Sequence, residues 1–130
     1  MYYYEKDYIM RLIHGIARIL ARMLFHQELE EDGELAVIME EATRDCNDYL
    51  KRMIDAGQVN AAEEKLFDIL ESAAWDDHQK AALVISFYDY LNAKDDLFLE
   101  QSDFSRDEII NGLEDAMKAV DLEIPEYLRI

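Results

Sequence analysis

The sequence predicts an all-α fold, a single compact bundle of five helices. Three observations predict it. Four Gly and one Pro in 130 residues leave little punctuation for sheets and tight hairpins. Ala, Leu, Glu, Lys, Arg and Met, all strong helix formers, are abundant. Apolar residues make up 51% of the chain, too many for a disordered acidic tail and enough for one domain with a real core.

The first helix is expected over about 4–26. At ~100° per residue, Ile9, Leu12, Ile13, Ile16, Ile19, Leu20, Met23 and Leu24 share one apolar arc. Met10, Ala17 and Ala21 widen that arc to about 200°, more than one neighbour covers. Arg11, Arg18 and Arg22 recur at seven- and four-residue spacing on the other side. After a polar stretch, a second helix is expected over about 34–56, with Cys46, Tyr49, Leu50 and Met53 on its apolar stripe and Gly57 as its C-cap. A third follows over about 59–74, facing inward with Val59, Ala62, Leu66, Ile69, Leu70 and Ala73; Asn60 and Glu63 have capping-box spacing at its start. Asp76 or Asp77 opens a fourth over about 77–93. Within it, residues 81–91 are apolar apart from Ser86 and Asp89, so it should be the most buried. A polar loop from Lys94 leads to Phe104. Ser105-Arg106-Asp107-Glu108 is a full capping box that opens the fifth helix, about 106–121, carrying Ile109, Ile110, Leu113, Ala116, Met117 and Val120. The tail 122–130, with Ile124, Leu128 and Ile130, is expected to dock on the bundle.

Charge is distributed unevenly. Residues 1–26 carry four basic against two acidic side chains, a net of +2. The rest holds nine basic against 28 acidic, a net of −19, for −17 in all. A chain of pI ≈ 4.3 lacks the positive field that phosphate neutralisation needs, so no nucleic-acid partner is expected. Glu5, Lys6 and Asp7 precede the first apolar run and three arginines interrupt it, which reads as neither a secretory signal nor a membrane span. The single Cys46 fits a reducing compartment, and a cytoplasmic location is expected.

The chemistry-bearing patterns are missing. Di-iron bundles need Glu-x-x-His pairs, but Arg11, Met23 and Trp75 stand three before His14, His26 and His78. One Cys and three scattered His are poor material for zinc. Four scattered glycines build no phosphate loop. Cys46 on an apolar stripe reads as an inert core thiol. The acidic runs around 28–34 and at Asp95-Asp96 lack the order of a calcium loop and read as solvated faces. No catalytic residue, cofactor or metal is therefore expected.

Two resemblances add to this. Gly57-Gln58-Val59-Asn60-Ala61-Ala62, followed by Leu66 and Leu70, is similar to the turn and second helix of a tetratricopeptide unit, which implies a helical hairpin but, without a tandem copy, no repeat array. The whole chain resembles a family of short, all-helical proteins of unknown function from Gram-positive bacteria. That likeness rests on Tyr4-Glu5-Lys6-Asp7-Tyr8-Ile9-Met10-Arg11, on Ala62-Glu63 with Leu66-Phe67, and on Phe104-Ser105-Arg106-Asp107-Glu108-Ile109. It implies the same fold and no assigned activity.

The function expected is that of a small interaction or adaptor protein without a catalytic centre. Its candidate surface is Tyr3, Tyr4, Tyr8, Arg11, Arg18 and Arg22, where amphipathic rings suit a contact and guanidinium groups can pair with carboxylates of the same chain or of a homodimer mate. One alternative is a peripheral membrane protein whose first helix lies in the headgroup layer, opposed by the −19 remainder. The other is a small-ligand binder or enzyme with a pocket built from residues distant in sequence.

Overall fold

The computed structural model describes residues 10, 11, 13–15, 18 and 41–120; the remainder of the expected 4–26 and 34–56 helices and the tail 122–130 lie outside the described residues. All the regular structure among the described residues is helical. It comprises α1 (Glu41–Asp55), α2 (Val59–Leu70), α3 (Asp77–Asn92), α4 (Asp96–Gln101) and α5 (Arg106–Ala119), preceded by helical residues at 10, 11, 13–15 and 18.

α3 is the axis of the fold. Residues 81–88 are buried without interruption, so this helix has no solvent face over two turns and needs neighbours on every side. α1, α2 and α5 all pack on it. On a further side, Asn92 Nδ2 donates to the Met10 carbonyl at 2.9 Å, His14 Nδ1 lies 3.1 Å from Asp89 Oδ1, and Ile13 is fully buried. Polar contacts fix the directions. Asp55 at the end of α1 meets Tyr90 near the end of α3, whereas Glu63 near the start of α2 meets Tyr88, so α2 runs against both. The core joins Leu50 and Ile54 of α1, Val59, Ala62, Leu66 and Leu70 of α2, Leu83, Val84, Ile85, Phe87, Tyr88 and Leu91 of α3, and Ile109, Leu113, Ala116 and Met117 of α5. Phe87 and Tyr88 meet edge to face, with ring centroids 4.9 Å apart.

The helix ends follow local chemistry. α1 stops in a Schellman motif: Gly57 adopts φ 83°, its N–H donates to Ile54 O at 2.8 Å, and Gln58 N–H donates to Met53 O at 2.9 Å. Asp76 and Gln79 form a reciprocal capping box at the start of α3, and Ser105 and Glu108 form one at the start of α5.

Four expectations need correction. The inner face of α1 is Thr43, Asn47, Leu50 and Ile54, about one residue out of phase with the expected stripe; Cys46 and Met53 are half-buried and Tyr49 is 45% exposed. The stripe was misread because two inner positions are polar. The Thr43 Oγ1 and Asn47 Oδ1 atoms are buried with no hydrogen-bond partner among the described residues. The expected 59–74 helix ends at Leu70, because Ser72 Oγ accepts from Ala74 N–H at 3.1 Å and folds the chain into a turn instead. The Asn60/Glu63 capping box does not form. The N-cap of α2 is Gln58, which makes no side-chain cap, and Asn60 and Glu63 are spent on tertiary contacts.

The fourth correction is α4, a helix inside the expected polar loop, which raises the number of helices between Glu41 and Ala119 from four to five. Asp95, read as part of a solvated acidic face, accepts from Phe98 N–H at 2.8 Å as its N-cap, and Leu99 is buried. α4 ends in a second Schellman motif, with Asp103 N–H donating to Glu100 O at 3.1 Å and Phe104 N–H to Leu99 O at 3.0 Å. The left-handed position there is held by Asp103, φ 56°.

Replacing Ile85 by Ala should lower stability by about 2–5 kcal/mol, through lost burial and an unfilled cavity. The denaturant midpoint reads this directly. An unchanged midpoint would show that α3 is not the central helix.

Candidate functional site

Of the expected surface, Tyr3, Tyr4, Tyr8 and Arg22 lie outside the described residues. Arg11 is exposed and Arg18 half-buried, seven residues apart and hence on nearly the same side of helical backbone. Besides the contacts of Met10 and His14 with α3, polar groups meet in three further junctions and beside one groove.

The first junction joins α2, α3 and α5. Tyr88 Oη, fully buried, donates to Glu63 Oε2 at 2.6 Å. Room for the pair comes from Gly112 on α5. A Cβ there would stand 2.5 Å from Glu63 Oε2 and 2.7 Å from Tyr88 Oη, closer than real Cβ atoms come. Burial pushes the Glu63 carboxyl above its ordinary range; the Tyr88 hydroxyl opposes that, and the charges of Glu108 and Asp115 reinforce it. Tyr88 is held well above the usual phenol range, by burial first and by Glu63 second, so its proton stays on and donates.

The second junction ties the ends of α1 and α3 to α4. Asp55 Oδ1 accepts from Tyr90 Oη and from Lys94 Nζ, each at 2.6 Å. Lys51 and Lys94 sit 4.9 and 4.8 Å from the Tyr90 ring centroid, and Lys94 is 5.0 Å from that of Phe98. The Lys94 hydrogen bond, then that of Tyr90, holds the Asp55 carboxyl below its ordinary value. The same bond to Asp55 raises Lys94. Asp55 is exposed while Tyr90 and Lys94 are half-buried, so solvent screens the pair and the junction orients helix ends more than it stabilises them.

Arg106 makes the third. Its guanidinium donates to the Asn92 carbonyl at 2.8 Å and the Lys94 carbonyl at 2.6 Å, and it reaches Asp96 Oδ1 at 3.2 Å. One planar fork thus caps the free carbonyls at the end of α3 and holds the start of α4. Sequence reasoning saw Arg106 only as a letter inside a capping box. The available signal was its position: a cation in the first turn opposes the helix dipole, so it must be used elsewhere.

Beside this clamp lies a groove of about 340 Å³ between α4 and the start of α5. Leu99 and Phe104 form its floor, and Asp96, Glu100, Asp103 and Glu108 stand around it. Asp96 is engaged with Arg106, and Glu108 Oε1 accepts from Ser105 N–H at 2.9 Å. Among the described residues no cation pairs with Glu100 or Asp103.

Cys46 is half-buried, not a full core residue; desolvation pushes its thiol up, against a smaller opposing effect of Lys65. Among the described residues, no group of three His, Cys, Asp or Glu side chains could hold a metal ion, and no helix is long and apolar enough to cross a membrane.

Comparison with known proteins gives one match. The profile of a family of unknown function (DUF6483) matches residues 3–121, and the chain belongs to that family. No curated protein matches the chain, and no solved structure does.

Two consequences of the junctions can be measured. Glu63→Ala strands the buried Tyr88 hydroxyl and should cost about 1–3 kcal/mol. Glu63→Gln keeps an acceptor and removes the charge. Because the folded-state carboxyl of Glu63 is raised, the stability it contributes is full below its ordinary unfolded value and is lost as pH rises through the folded one. The Gln variant should therefore gain on the wild type as pH rises from about 4 toward neutrality. Paired denaturant titrations across that window check the sign, and a difference independent of pH contradicts it. Arg106→Lys should destabilise by about 1–3 kcal/mol, since a point charge cannot span two carbonyls and a carboxylate. A melting temperature unchanged by that replacement would remove the clamp from the account.

Proposed function

We propose that this member of the family is a small acidic cytoplasmic protein that works without a catalytic centre, as a protein–protein interaction or adaptor module. What supports the reading is the use to which the polar groups that meet are put. Glu63 with Tyr88, Asp55 with Lys94 and Tyr90, and Arg106 with two carbonyls and Asp96 each bind one helix to another. Their chemistry is spent on fixing helix positions, which yields a rigid, strongly charged body rather than a reactive site. The antiparallel α1–α2 pair with its Gly57 turn adds the kind of hairpin that tetratricopeptide units use to present binding faces.

The surface first read from the sequence, Tyr3, Tyr4, Tyr8, Arg11, Arg18 and Arg22, remains a candidate contact for a protein partner or for a second copy in a homodimer. Chemical cross-linking followed by capture, with two differently tagged copies in one cell, tests the reading. A stoichiometric partner, either another protein or the second tag, is the expected result. Recovery of neither, alongside turnover of a small molecule by the purified chain, would contradict it.

A further inference from the structure

We propose that the groove between α4 and the start of α5 docks a lysine- or arginine-bearing segment of a partner protein, with an aliphatic side chain of that segment against its apolar floor. This rests on the interaction reading above and names the surface and the class of partner.

The argument is first one of charge. The groove gathers Asp96, Glu100, Asp103 and Glu108 around Leu99 and Phe104, and Arg106, the one cation that lines it among the described residues, is consumed by Asn92 O, Lys94 O and Asp96. A concave surface lined by one sign of charge over a low-dielectric floor focuses the field and draws the opposite charge to it. A basic segment satisfies that field. A compact metal ion fits less well, because no set of three carboxylates among the described residues converges on one point.

The second argument is the apolar floor that these carboxylates enclose, Leu99 and Phe104. A charged rim over an apolar floor suits a segment in which basic and aliphatic residues alternate.

The third is pre-organisation. Both walls are fixed by groups that the core does not require. Asn60 Nδ2 reaches across from α2 to the carbonyls of Ser102 and Asp103, 3.4 Å from each. The two helix-end motifs meet at the groove, the Schellman turn at Asp103 and the capping box of Ser105 and Glu108. A surface already held in one shape loses little freedom on binding. Glycine would be the least strained residue at the left-handed Asp103, yet a carboxylate stands there, at the mouth of the groove.

The test uses fluorescence anisotropy of the full chain with a short labelled peptide of alternating lysine and leucine, at physiological salt. Its counterpart with glutamate for lysine is the blank, and spermidine is added as a competitor. Glu100→Gln with Asp103→Asn removes two charges from the groove, and Asn keeps the left-handed backbone at ease. Asp45→Asn with Asp48→Asn removes the same charge from exposed positions of α1. Both variants are checked for unchanged melting temperature. Expected is saturable binding of the lysine peptide, weakened at least about tenfold by the groove pair and under about twofold by the α1 pair. Equal weakening by both pairs, or displacement of the peptide by spermidine at equal charge concentration, overturns the proposal by reducing the contact to general electrostatics. So does binding that leaves the groove pair unaffected. The two readings fail separately: if the groove variant still captures the same cellular partner as the wild type, the interaction reading stands and only the groove is wrong.

Discussion

Tyr88 carries a hydroxyl into a helix that has no solvent face, and the fold is arranged around finding that hydroxyl a partner. Left unpaired it would cost about 1–3 kcal/mol, a large share of the stability of a domain this size. Glu63 supplies the acceptor from α2. The pair is bulky and polar at a place where three helices meet, and α5 can approach only because Gly112 presents no side chain. Glycine in a helix interior costs about 1 kcal/mol relative to alanine, so its presence in the middle of α5 is bought by what it lets in. A slip of α5 by one residue would drive Asn111 or Leu113 onto the Glu63 carboxylate. The junction therefore fixes the register of α5 against α2 and α3 as well as satisfying one polar atom.

With α3 set, the ends of the helices are free to serve the surface. Asp55 collects Tyr90 and Lys94 where α1 and α3 finish side by side, and Arg106 binds the carbonyls that α3 leaves open. α4 exists in the space between these two junctions. It is only six residues long, and too short to be stable alone. Its N-cap at Asp95, its buried Leu99 and its turn at Asp103 tie it down. The acidic groove is a by-product of that construction: two short, well-capped helix ends held at fixed separation over Leu99 and Phe104.

The parts of this that could be read from the sequence are those where local signals agree with burial. The stretch 81–91, apolar apart from Ser86 and Asp89, announced α3 as the buried helix, and Leu83, Val84, Ile85, Phe87 and Tyr88 are each at most 1% exposed. Ser105 and Glu108 announced the start of α5, and Gly57 the end of α1. Where side chains serve distant partners, the same reasoning failed. Asn60 and Glu63 have the spacing of a cap, but the Tyr88 hydroxyl and the Ser102 and Asp103 carbonyls compete for them and win. Thr43 and Asn47 lie on the inner face of α1, so a reading by hydropathy rotated that helix outward. α4 was hidden because Asp95-Asp96 looked like a solvated acidic pair, although an Asp before Leu-Phe-Leu is also a capped helix start. Arg106 and the groove depend on atoms brought together from α3, α4 and α5, which no single stretch of sequence displays.

The central claim is that the Tyr88 hydroxyl, the Glu63 carboxylate and the missing side chain at Gly112 are one device. A double-mutant cycle between Gly112→Ala and Tyr88→Phe, read by denaturant unfolding, tests it most directly. In the wild-type background the added methyl must displace both polar partners. In the Tyr88→Phe background Glu63 has lost its tether and can swing away, so the same methyl should cost less by at least about 1 kcal/mol. Additive costs, with Gly112→Ala equally damaging in both backgrounds, would show that the glycine serves helix packing alone and that the buried hydrogen bond does not set the arrangement of the helices.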